Sequence, residues 1–252
     1  PLALRYFGGA GLAHMQQFGT PLETFAAIRA KASRHAANNP MALFRNVVST
    51  EDVMKAPMLW PDVMTRLMAC PPTCGAAAAV VCSEAFAATH GLDRSVRIRA
   101  QAMTTDGPAT FEANDMREVV GFSMARAAAR QVFEAAGIGV EDIDVVELHD
   151  CFATAELVHY DNLMLCEEGG AVDFFNSGAP WRDGALPVNV SGGLQSKGHP
   201  ISATGIANIW EVCHHLRGEA GDRQIEGAKV GLAHVIGLGS ACGVHILEKS
   251  GL

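Results

Sequence analysis

The sequence has few charged residues and no excess of basic ones. Only 18% of its 252 residues are charged, and 27 acidic side chains against 19 basic ones give a net charge of −8. No basic run stands out, whereas nucleic-acid-binding surfaces are clusters of Lys and Arg. The composition therefore argues against a nucleic-acid partner. It does not exclude an anionic substrate, because a few local basic residues can outweigh a distant average.

Long apolar runs and a disulfide framework are also lacking. No uncharged apolar run reaches the roughly 20 residues that cross a membrane. The N-terminal stretch PLALRYFGGAGLAHM has neither the charged start nor the long apolar region of a secretory signal. The seven cysteines are odd in number and irregular in spacing. We therefore expect a protein of the reducing cytoplasm with no membrane partner.

Spacings typical of metal ligands are scarce as well. Cys70 and Cys74 form a CPPTC segment, but no second pair of ligands follows at a suitable distance. Cys213, His214 and His215 fall inside a predicted helix, and Cys213 lies on its apolar face, which favours core packing. The sequence therefore predicts no metal site.

What is present is enough apolar material, 49% of the chain, for a real core. The first part predicts helices joined by irregular segments. TPLETFAAIRAKASRHAANNP reads as a helix capped at Thr20, and STEDVMKAP as a short helix capped at Ser49 or Thr50. CGAAAAVVCSEAFAATHGL predicts a strand that turns helical by Ser83 and stops at Gly91.

From about Ser95 the pattern becomes regular and alternates between strands and helices. The segments, in order, are SVRIRAQAM, MREVVGFSMARAAARQVFEAAG, IDVVEL, TAELVHYDNLML, PVNVSGG, TGIANIWEVCHHLRG, AKVGLAHVI and ACGVHILEK. This β-α-β-α-β-α-β-β order predicts one layered α/β unit with a mostly parallel sheet. Sites in such sheets form beyond the carboxyl ends of the strands.

Three predicted loops at that edge each carry a histidine. The loops are His149–Phe152, Ser191–Gly205 and Ala233–Gly239. Their histidines are His149, His199 and His234, and only the first loop adds a thiol, Cys151. A thiol beside histidines can act as a nucleophile or as an acid/base, and neutral imidazoles can donate hydrogen bonds to an oxyanion. His199 precedes a helix start, which favours its neutral form.

Each loop alone has an ordinary explanation. A histidine at a strand end is more often a satisfied core or surface residue, and a cysteine after a buried strand is usually a small apolar filler. Three such loops on one edge favour a functional site. Asp150 either orients His149 or caps the following helix, and the cap is the favoured interpretation. We assign no role to Cys166.

These motifs resemble those of one family. HDCF at His149–Phe152, SGGLQSKGHP at Ser191–Pro200 and H-x-x-G-x-G at His234–Gly239 occur in this order. Together they resemble the thiolases of the sterol-carrier-protein type. The segments FGTPLETFAAIRAKASRHAANNP and LRGEAGDRQIEGAKVGLAH extend the resemblance over nearly the whole chain.

The resemblance implies a layered thiolase-like α/β fold built from two similar halves and a loop region that helps bind coenzyme A. Residues 1–90 would be the loop region and the end of the N-terminal half, and residues 91–252 the complete C-terminal domain. The N-terminal half would then be largely absent from this sequence. The family's homodimers, and a small zinc-containing OB-fold protein that some relatives work with, are the partners that the resemblance implies.

The resemblance also implies roles for individual residues. Cys151 would be the acid/base at the α-carbon of an acyl-CoA, and His149 would bind the thioester oxygen of the enolate. His199 would activate a nucleophilic cysteine, and His234 would complete the pocket. Coenzyme A or acyl-CoA would be a substrate, with no tightly bound cofactor. The substrate-binding residues implied are Gly193, Gly198, Ser202, Gly237 and Gly239.

Some departures from the family pattern leave three functions open. The cysteines that precede the HDCF loop do not lie in the nucleophile motif; they are Cys70, Cys74 and Cys82. Ser202 stands where glycine is common. The leading hypothesis is an acyl-CoA acyltransferase of lipid or sterol metabolism, working by thiolysis of 3-ketoacyl-CoA or by the reverse Claisen condensation. The alternatives are a thiolase-like retro-aldol lyase that acts on an acyl-CoA and a non-catalytic subunit that binds acyl-CoA.

Overall fold

Before residue 90, helices are joined by irregular segments, as the sequence predicts. The computed structural model describes residues 1–238 and 241–251. The helices of this part are α1 (Leu2–Phe18), α2 (Leu22–Ala37), α3 (Thr50–Lys55) and α4 (Glu84–Thr89). Between α3 and α4, an antiparallel pair is formed by β1 (Met58–Trp60) and β2 (Met64–Thr65).

Local capping starts α3 as predicted but not α2. The Ser49 hydroxyl accepts a hydrogen bond from the Asp52 amide (3.0 Å), and the Asp52 carboxylate accepts one from the Ser49 amide (2.9 Å). The hydroxyl of Thr20, the predicted cap of α2, lies instead 2.6 Å from His14 Nδ1. Thr20 therefore ties α1 to the start of α2, and Pro21 takes the cap position without a side-chain bond.

The predicted strand before α4 is wrong. Residues 74–83 form no strand and are largely exposed, with Val80 at 94%. A strand needs a neighbouring strand to satisfy its backbone N–H and C=O groups. Among the described residues, none pairs with this apolar segment, so β propensity alone does not make it a strand.

After residue 90, strands and helices follow the predicted alternation. The strands are β3 (Val96–Thr104), β4 (Val145–Glu147), β5 (Val230–Gly237) and β6 (Ala241–Lys249). The helices are α5 (Ala109–Glu112), α6 (Met116–Val119), α7 (Phe122–Ala136), α8 (Ala153–Asn162), α9 (Ala171–Asn176), α10 (Gly193–Ser196) and α11 (Thr204–Arg217).

The helix predicted as one unit from Met116 to Gly137 is interrupted. It forms α6 and α7, and Gly121 between them has a positive φ of 89°. Glycine is the residue that adopts this conformation without a steric penalty. The helix ends at Gly137 as predicted, again with a positive φ (64°).

The main sheet has the strand order β3-β6-β5-β4. β4 and β5 are parallel, whereas β6 lies antiparallel to both β3 and β5. Two of these three pairings are antiparallel, so the sheet is mixed and the prediction of a mostly parallel sheet is wrong. β3, β4 and β5 do share one direction, but β6 lies between β3 and β5. The strand predicted in PVNVSGG is reduced to a single parallel bridge between Val146 and Val188.

The two faces of the sheet pack against different helices. Leu232 and Ile236 of β5 join the larger core, which includes α7 and α8, whereas Ala233 joins a smaller core with Val212 and Leu216 of α11. This follows from the two-residue alternation of side chains in a strand. Each fully buried Leu or Ile contributes about 1.5–3 kcal/mol. The alternation also fixes the face of the sheet on which each side chain of β5 lies.

None of the helices in the described ranges is long and apolar enough to cross a membrane.

Candidate active site

The HDCF loop leaves the carboxyl end of β4 and is buried. The Leu148 amide donates to Asn189 Oδ1 at 2.8 Å, which anchors the chain just before the loop. His149 and Cys151 are 6% and 5% exposed. The sequence prediction of a strand that delivers an imidazole and a thiol to the sheet edge is therefore confirmed in position.

The second loop brings His199 to His149. Their rings lie 4.9 Å apart between centroids in a T-shaped arrangement. His199 Nδ1 lies 2.7 Å from the Thr204 hydroxyl, which itself donates to the Pro200 carbonyl at 3.2 Å. A hydroxyl that donates to a carbonyl accepts from the imidazole, so this pair of bonds favours the Nδ1–H tautomer of His199. Nε2 is then free to accept a proton.

The third histidine does not lie on a loop, contrary to the prediction for Ala233–Gly239. β5 continues to Gly237 because its pairing with β6 extends to Ala241, and His234 lies inside this ladder opposite Val244. His234 shares the strand face of Leu232 and Ile236, on the side of α8. It reaches the HDCF loop from there, because the His149 amide donates to His234 Nδ1 at 3.3 Å.

A fourth imidazole lies in the same cluster, and sequence reasoning missed it. The ring of His159, on α8, lies 4.6 Å from that of His234. His159 Nδ1 lies 3.1 Å from Asn162 Nδ2. Its position eight residues past Cys151 gave no signal, since the sequence places it among apolar helix residues. Only the packing of α8 on β5 brings the two rings together.

Burial keeps these imidazoles neutral and the thiol protonated. Desolvation lowers the pKa values of His149 and His234 well below their ordinary range, and the neighbouring imidazoles lower both further. Burial also lowers the pKa of His199, with the Lys197 charge acting in the same direction. Burial raises the pKa of the Cys151 thiol well above its ordinary value. The site thus holds neutral hydrogen-bond donors around a protonated thiol.

Three ring nitrogens of this cluster are buried without a partner among the described residues. They are His149 Nδ1, His159 Nε2 and His234 Nε2. Buried polar atoms are nearly always hydrogen-bonded in folded proteins. The cluster therefore retains unused donor and acceptor capacity, which a water molecule or a substrate oxygen can satisfy.

Asp150 does not cap α8, so the favoured interpretation is wrong. It holds the two loops together instead. Its Oδ1 accepts from the Leu194 amide at 2.7 Å and its Oδ2 from Gln195 Nε2 at 3.1 Å. Phe152 occupies the cap position of α8 with no side-chain bond. Burial raises the pKa of Asp150, and the Glu156 charge raises it further.

The implied substrate-binding residues fall into separate places. Gly193 (φ +59°) is packed against the Asp150 carboxylate, and Gly198 (φ +118°) against Thr73. Ser202 is exposed and lines a cavity of about 370 Å³ together with Ile201, Val235 and His234. Gly237 is exposed at the end of β5, and Gly239 lies outside the described residues. Their role in binding substrate stays a prediction.

A short segment before residue 75 joins both loops, which spacing alone could not show. Ala69 forms an antiparallel bridge with Phe152, and Pro72 forms a parallel bridge with His199. The His199 amide also donates to the Thr73 hydroxyl at 3.2 Å. The segment therefore lies along the wall that Cys151 and His199 share.

Helix α2 supports the site from behind through buried polar contacts. Lys31 Nζ forms an ion pair with Glu156 of α8 at 2.6 Å and donates to the Val188 carbonyl at 2.8 Å. Arg29 Nη1 donates to the Ser196 hydroxyl at 2.5 Å. These contacts fix the strand-end loops relative to α8, so α2 belongs to the architecture of the site.

The described residues contain no group of three or more His, Cys, Asp or Glu side chains that could hold a metal ion.

Comparison with known proteins assigns the chain to a protein family. The model of the family described as thiolase C-terminal domain-like matches residues 107–249, which is more than half of the chain. The chain therefore belongs to this family. The matched range falls within the predicted C-terminal domain, residues 91–252, and the boundary at residue 90 stays a prediction.

The curated relatives include proteins of the sterol-carrier-protein type, which the motifs resemble. Sterol carrier protein 2 of Rattus norvegicus is 47% identical over 242 residues, covering 96% of this chain and 44% of the rat protein. An acetyl-CoA acetyltransferase of Methanothermobacter thermautotrophicus is 38% identical over 237 residues, covering 94% of this chain and 61% of the archaeal protein. The resemblance to sterol-carrier-protein-type thiolases is thereby confirmed. This chain spans less than half the length of the rat relative.

A solved structure has the same fold. The structure of the Ltp2-ChsH2(DUF35) aldolase superposes with a TM-score of 0.82 at 20% identity, covering 98% of this chain and 64% of the other. The predicted thiolase-like α/β fold is confirmed.

Proposed function

We propose that this chain supplies the acid/base half of a thiolase-type acyl-CoA acyltransferase active site. The observation that carries the proposal is the buried Cys151 thiol on the same loop as the buried His149, whose ring lies 4.9 Å from that of His199. This combination fits proton transfer at the α-carbon of a thioester. Thiolysis of a 3-ketoacyl-CoA, or its reverse condensation, is the reaction that we propose.

The roles of the residues follow from their chemistry. In the condensation direction, Cys151 first gives its own proton to the leaving coenzyme A sulfur, or to solvent when only α-proton exchange occurs. The resulting thiolate takes the α-proton of an acyl-CoA, and the electron pair moves into the thioester carbonyl to give an enolate. Neutral imidazole donors at His149 and His234 stabilise the enolate oxygen. A thiol whose ordinary pKa has been raised forms a strongly basic thiolate, which suits a weakly acidic carbon. In the thiolysis direction, Cys151 returns the proton to that carbon.

The nucleophile that carries the acyl group is proposed to come from a polypeptide segment other than these residues. His199, with Nε2 free to accept a proton, would then activate that cysteine. Intact-protein mass spectrometry after incubation with acetyl-CoA tests this point. We expect no stable acyl adduct on the 252-residue chain, and an adduct on any of its cysteines would contradict the proposal.

A retro-aldol lyase is the second candidate, because the site has an acid/base and oxyanion donors and this reaction needs no acyl-cysteine. Incubation with a 3-hydroxyacyl-CoA separates the two functions. Release of an aldehyde or ketone would favour the lyase. Exchange of α-protons without carbon–carbon cleavage is the result that we expect for the acyltransferase half.

A non-catalytic subunit is the third candidate. Equilibrium binding of acetyl-CoA, measured by calorimetry beside deuterium uptake in D2O, distinguishes it from an enzyme. Binding without any α-proton exchange would favour this candidate and contradict the catalytic proposal.

The partners and the location of the whole enzyme are proposals as well. A homodimer and a zinc-containing OB-fold protein are the partners that we propose for the whole enzyme, and the cytoplasm is its proposed location. Sedimentation of the chain alone and with such a partner tests the assembly.

A further inference from the structure

Cys70 and Cys151 lie directly opposite each other on two paired backbone segments. Their neighbours Ala69 and Phe152 form the antiparallel bridge, and the Cys70 amide donates to the Cys151 carbonyl at 2.9 Å. Opposite residues of an antiparallel pair project to the same face, with Cα atoms about 5.5 Å apart when hydrogen-bonded. Disulfides span Cα separations of roughly 4.4–6.8 Å. The backbone therefore holds the Cα atoms of the two cysteines at a separation that a disulfide can bridge.

The other cysteines lie outside this arrangement, and all seven are free thiols. Cys74 and Cys82 are exposed on the unpaired segment before α4. Cys70 is partly exposed whereas Cys151 is buried. Because oxidation of a thiol follows its exposure, Cys70 is the member of this pair that an oxidant in solution meets first.

We infer that Cys70 and Cys151 form an oxidative modification site, in which hydrogen peroxide converts the two thiols to a disulfide across the antiparallel bridge. Peroxide transfers one oxygen to Cys70, the O–O bond breaks, and one water leaves as a sulfenic acid forms. The Cys151 sulfur then attacks the Cys70 sulfur, an S–S bond forms, and a second water carries away the oxygen with the remaining proton. Two thiols are oxidised, and one peroxide is reduced to two waters.

Burial sets the speed of this chemistry. It raises the pKa of Cys70 to about 12, and the neighbouring Asp150 carboxylate acts in the same direction. Burial also raises the pKa of Cys151. Protonated thiols are slow nucleophiles, so the disulfide forms slowly. A thiol of high pKa is also a poor leaving group, so the disulfide, once formed, is reduced slowly.

The consequence for catalysis rests on the proposed function. A Cys151 sulfur bound in a disulfide holds no proton and cannot act as the acid/base. Peroxide would therefore switch off proton exchange, and a dithiol would restore it.

The test uses the full chain in a background that makes the linkage unambiguous. Trypsin releases Cys70 on the peptide Leu67–Arg94 and Cys151 on Gln131–Arg182. Replacing the other cysteines of these two peptides by serine leaves one thiol on each; the changes are Cys74→Ser, Cys82→Ser and Cys166→Ser. Near-ultraviolet circular dichroism confirms that this background variant keeps the tertiary packing of the unmodified chain. After exposure to hydrogen peroxide, we expect the two peptides to be linked and dithiothreitol to release them.

Adding Cys70→Ser to the background is the matched control, and it should abolish the link and preserve exchange activity during the peroxide treatment. Cys70 oxidised to a sulfinic acid with Cys151 still reduced would overturn the inference. Linkage of either thiol to the peptides of Cys213 or Cys242 would overturn it too. A linked pair with undiminished proton exchange would support the modification site and contradict the proposed role of Cys151.

Discussion

At the residue scale, the geometry of the site depends on close contact between Gly193 and the Asp150 carboxylate. Asp150 joins the loop after β4 to the loop before α11 by accepting from Leu194 and Gln195. Gly193 directly precedes Leu194 and has a positive φ (+59°). A Cβ there would overlap the Asp150 carboxylate. The absence of a side chain at Gly193 is therefore a condition for the contact between the two loops.

We predict that Gly193→Ala destabilises the chain by at least about 2 kcal/mol, because it adds overpacking to backbone strain. Gly218→Ala is the matched control. Gly218 has a positive φ (+76°) at the end of α11, and a Cβ there meets nothing within 4 Å. It should show the strain alone, about 1 kcal/mol. Urea unfolding measures both, and equal losses would contradict the close contact at Asp150.

At the element scale, α2 and α8 are held together by a buried ion pair. The Lys31 and Glu156 side chains are both 0% exposed. Glu156 also accepts from Tyr160 at 2.5 Å and from Asn189 Nδ2 at 3.2 Å. The pair thus connects the helix that supports the site to the helix that follows Cys151.

We predict that Lys31→Met lowers the free energy of unfolding by about 3–5 kcal/mol, because it leaves a carboxylate buried without its cation. The double change Lys31→Met with Glu156→Gln should recover a large part of the loss. Lys55→Met is the control, since Lys55 pairs with Glu51 on the surface, and we expect little change there. A Lys31→Met loss no larger than that of Lys55→Met would show that the buried pair does not hold the helices.

The sequence could predict most of the elements from β3 onward and the three histidines, because hydrophobic periodicity and motif order are local signals. It could not predict His159 or Cys70 as neighbours of the site. Their contacts depend on the packing of α8 on β5 and on the bridge between Ala69 and Phe152. The strand predicted at residues 74–83 failed for a related reason, since pairing partners are not written in the segment itself.

At the scale of the whole molecule, buried neutral histidines link stability to pH. Burial and, to a lesser extent, the Lys31 charge lower the pKa of His35 to about 3. Burial lowers the pKa of His159 to about 3 as well. In the unfolded chain both would take up a proton below about pH 6.5. The unfolded state thus binds more protons between pH 6.5 and 3, and stability falls as pH decreases through this window.

We predict that each of these histidines contributes up to about 1.4 kcal/mol per pH unit to that fall. Urea midpoints measured between pH 7 and pH 5 check it. His35→Gln should make the dependence on pH shallower, whereas the exposed His90→Gln should leave it unchanged. A stability that is constant or increases towards pH 5 would contradict the neutral burial of these imidazoles.

The central claim is that Cys151 moves the α-proton of a bound acyl-CoA. The most direct measurement is the rate of deuterium uptake by acetyl-CoA in D2O, read from the mass of the thioester, for the unmodified chain, Cys151→Ala and Cys166→Ala. Cys166, between α8 and α9, is the matched control because it is a partly buried thiol outside the site. We predict that Cys151→Ala slows uptake by at least about 100-fold with acetyl-CoA binding retained, and that Cys166→Ala leaves it unchanged. Undiminished uptake in Cys151→Ala would contradict the account.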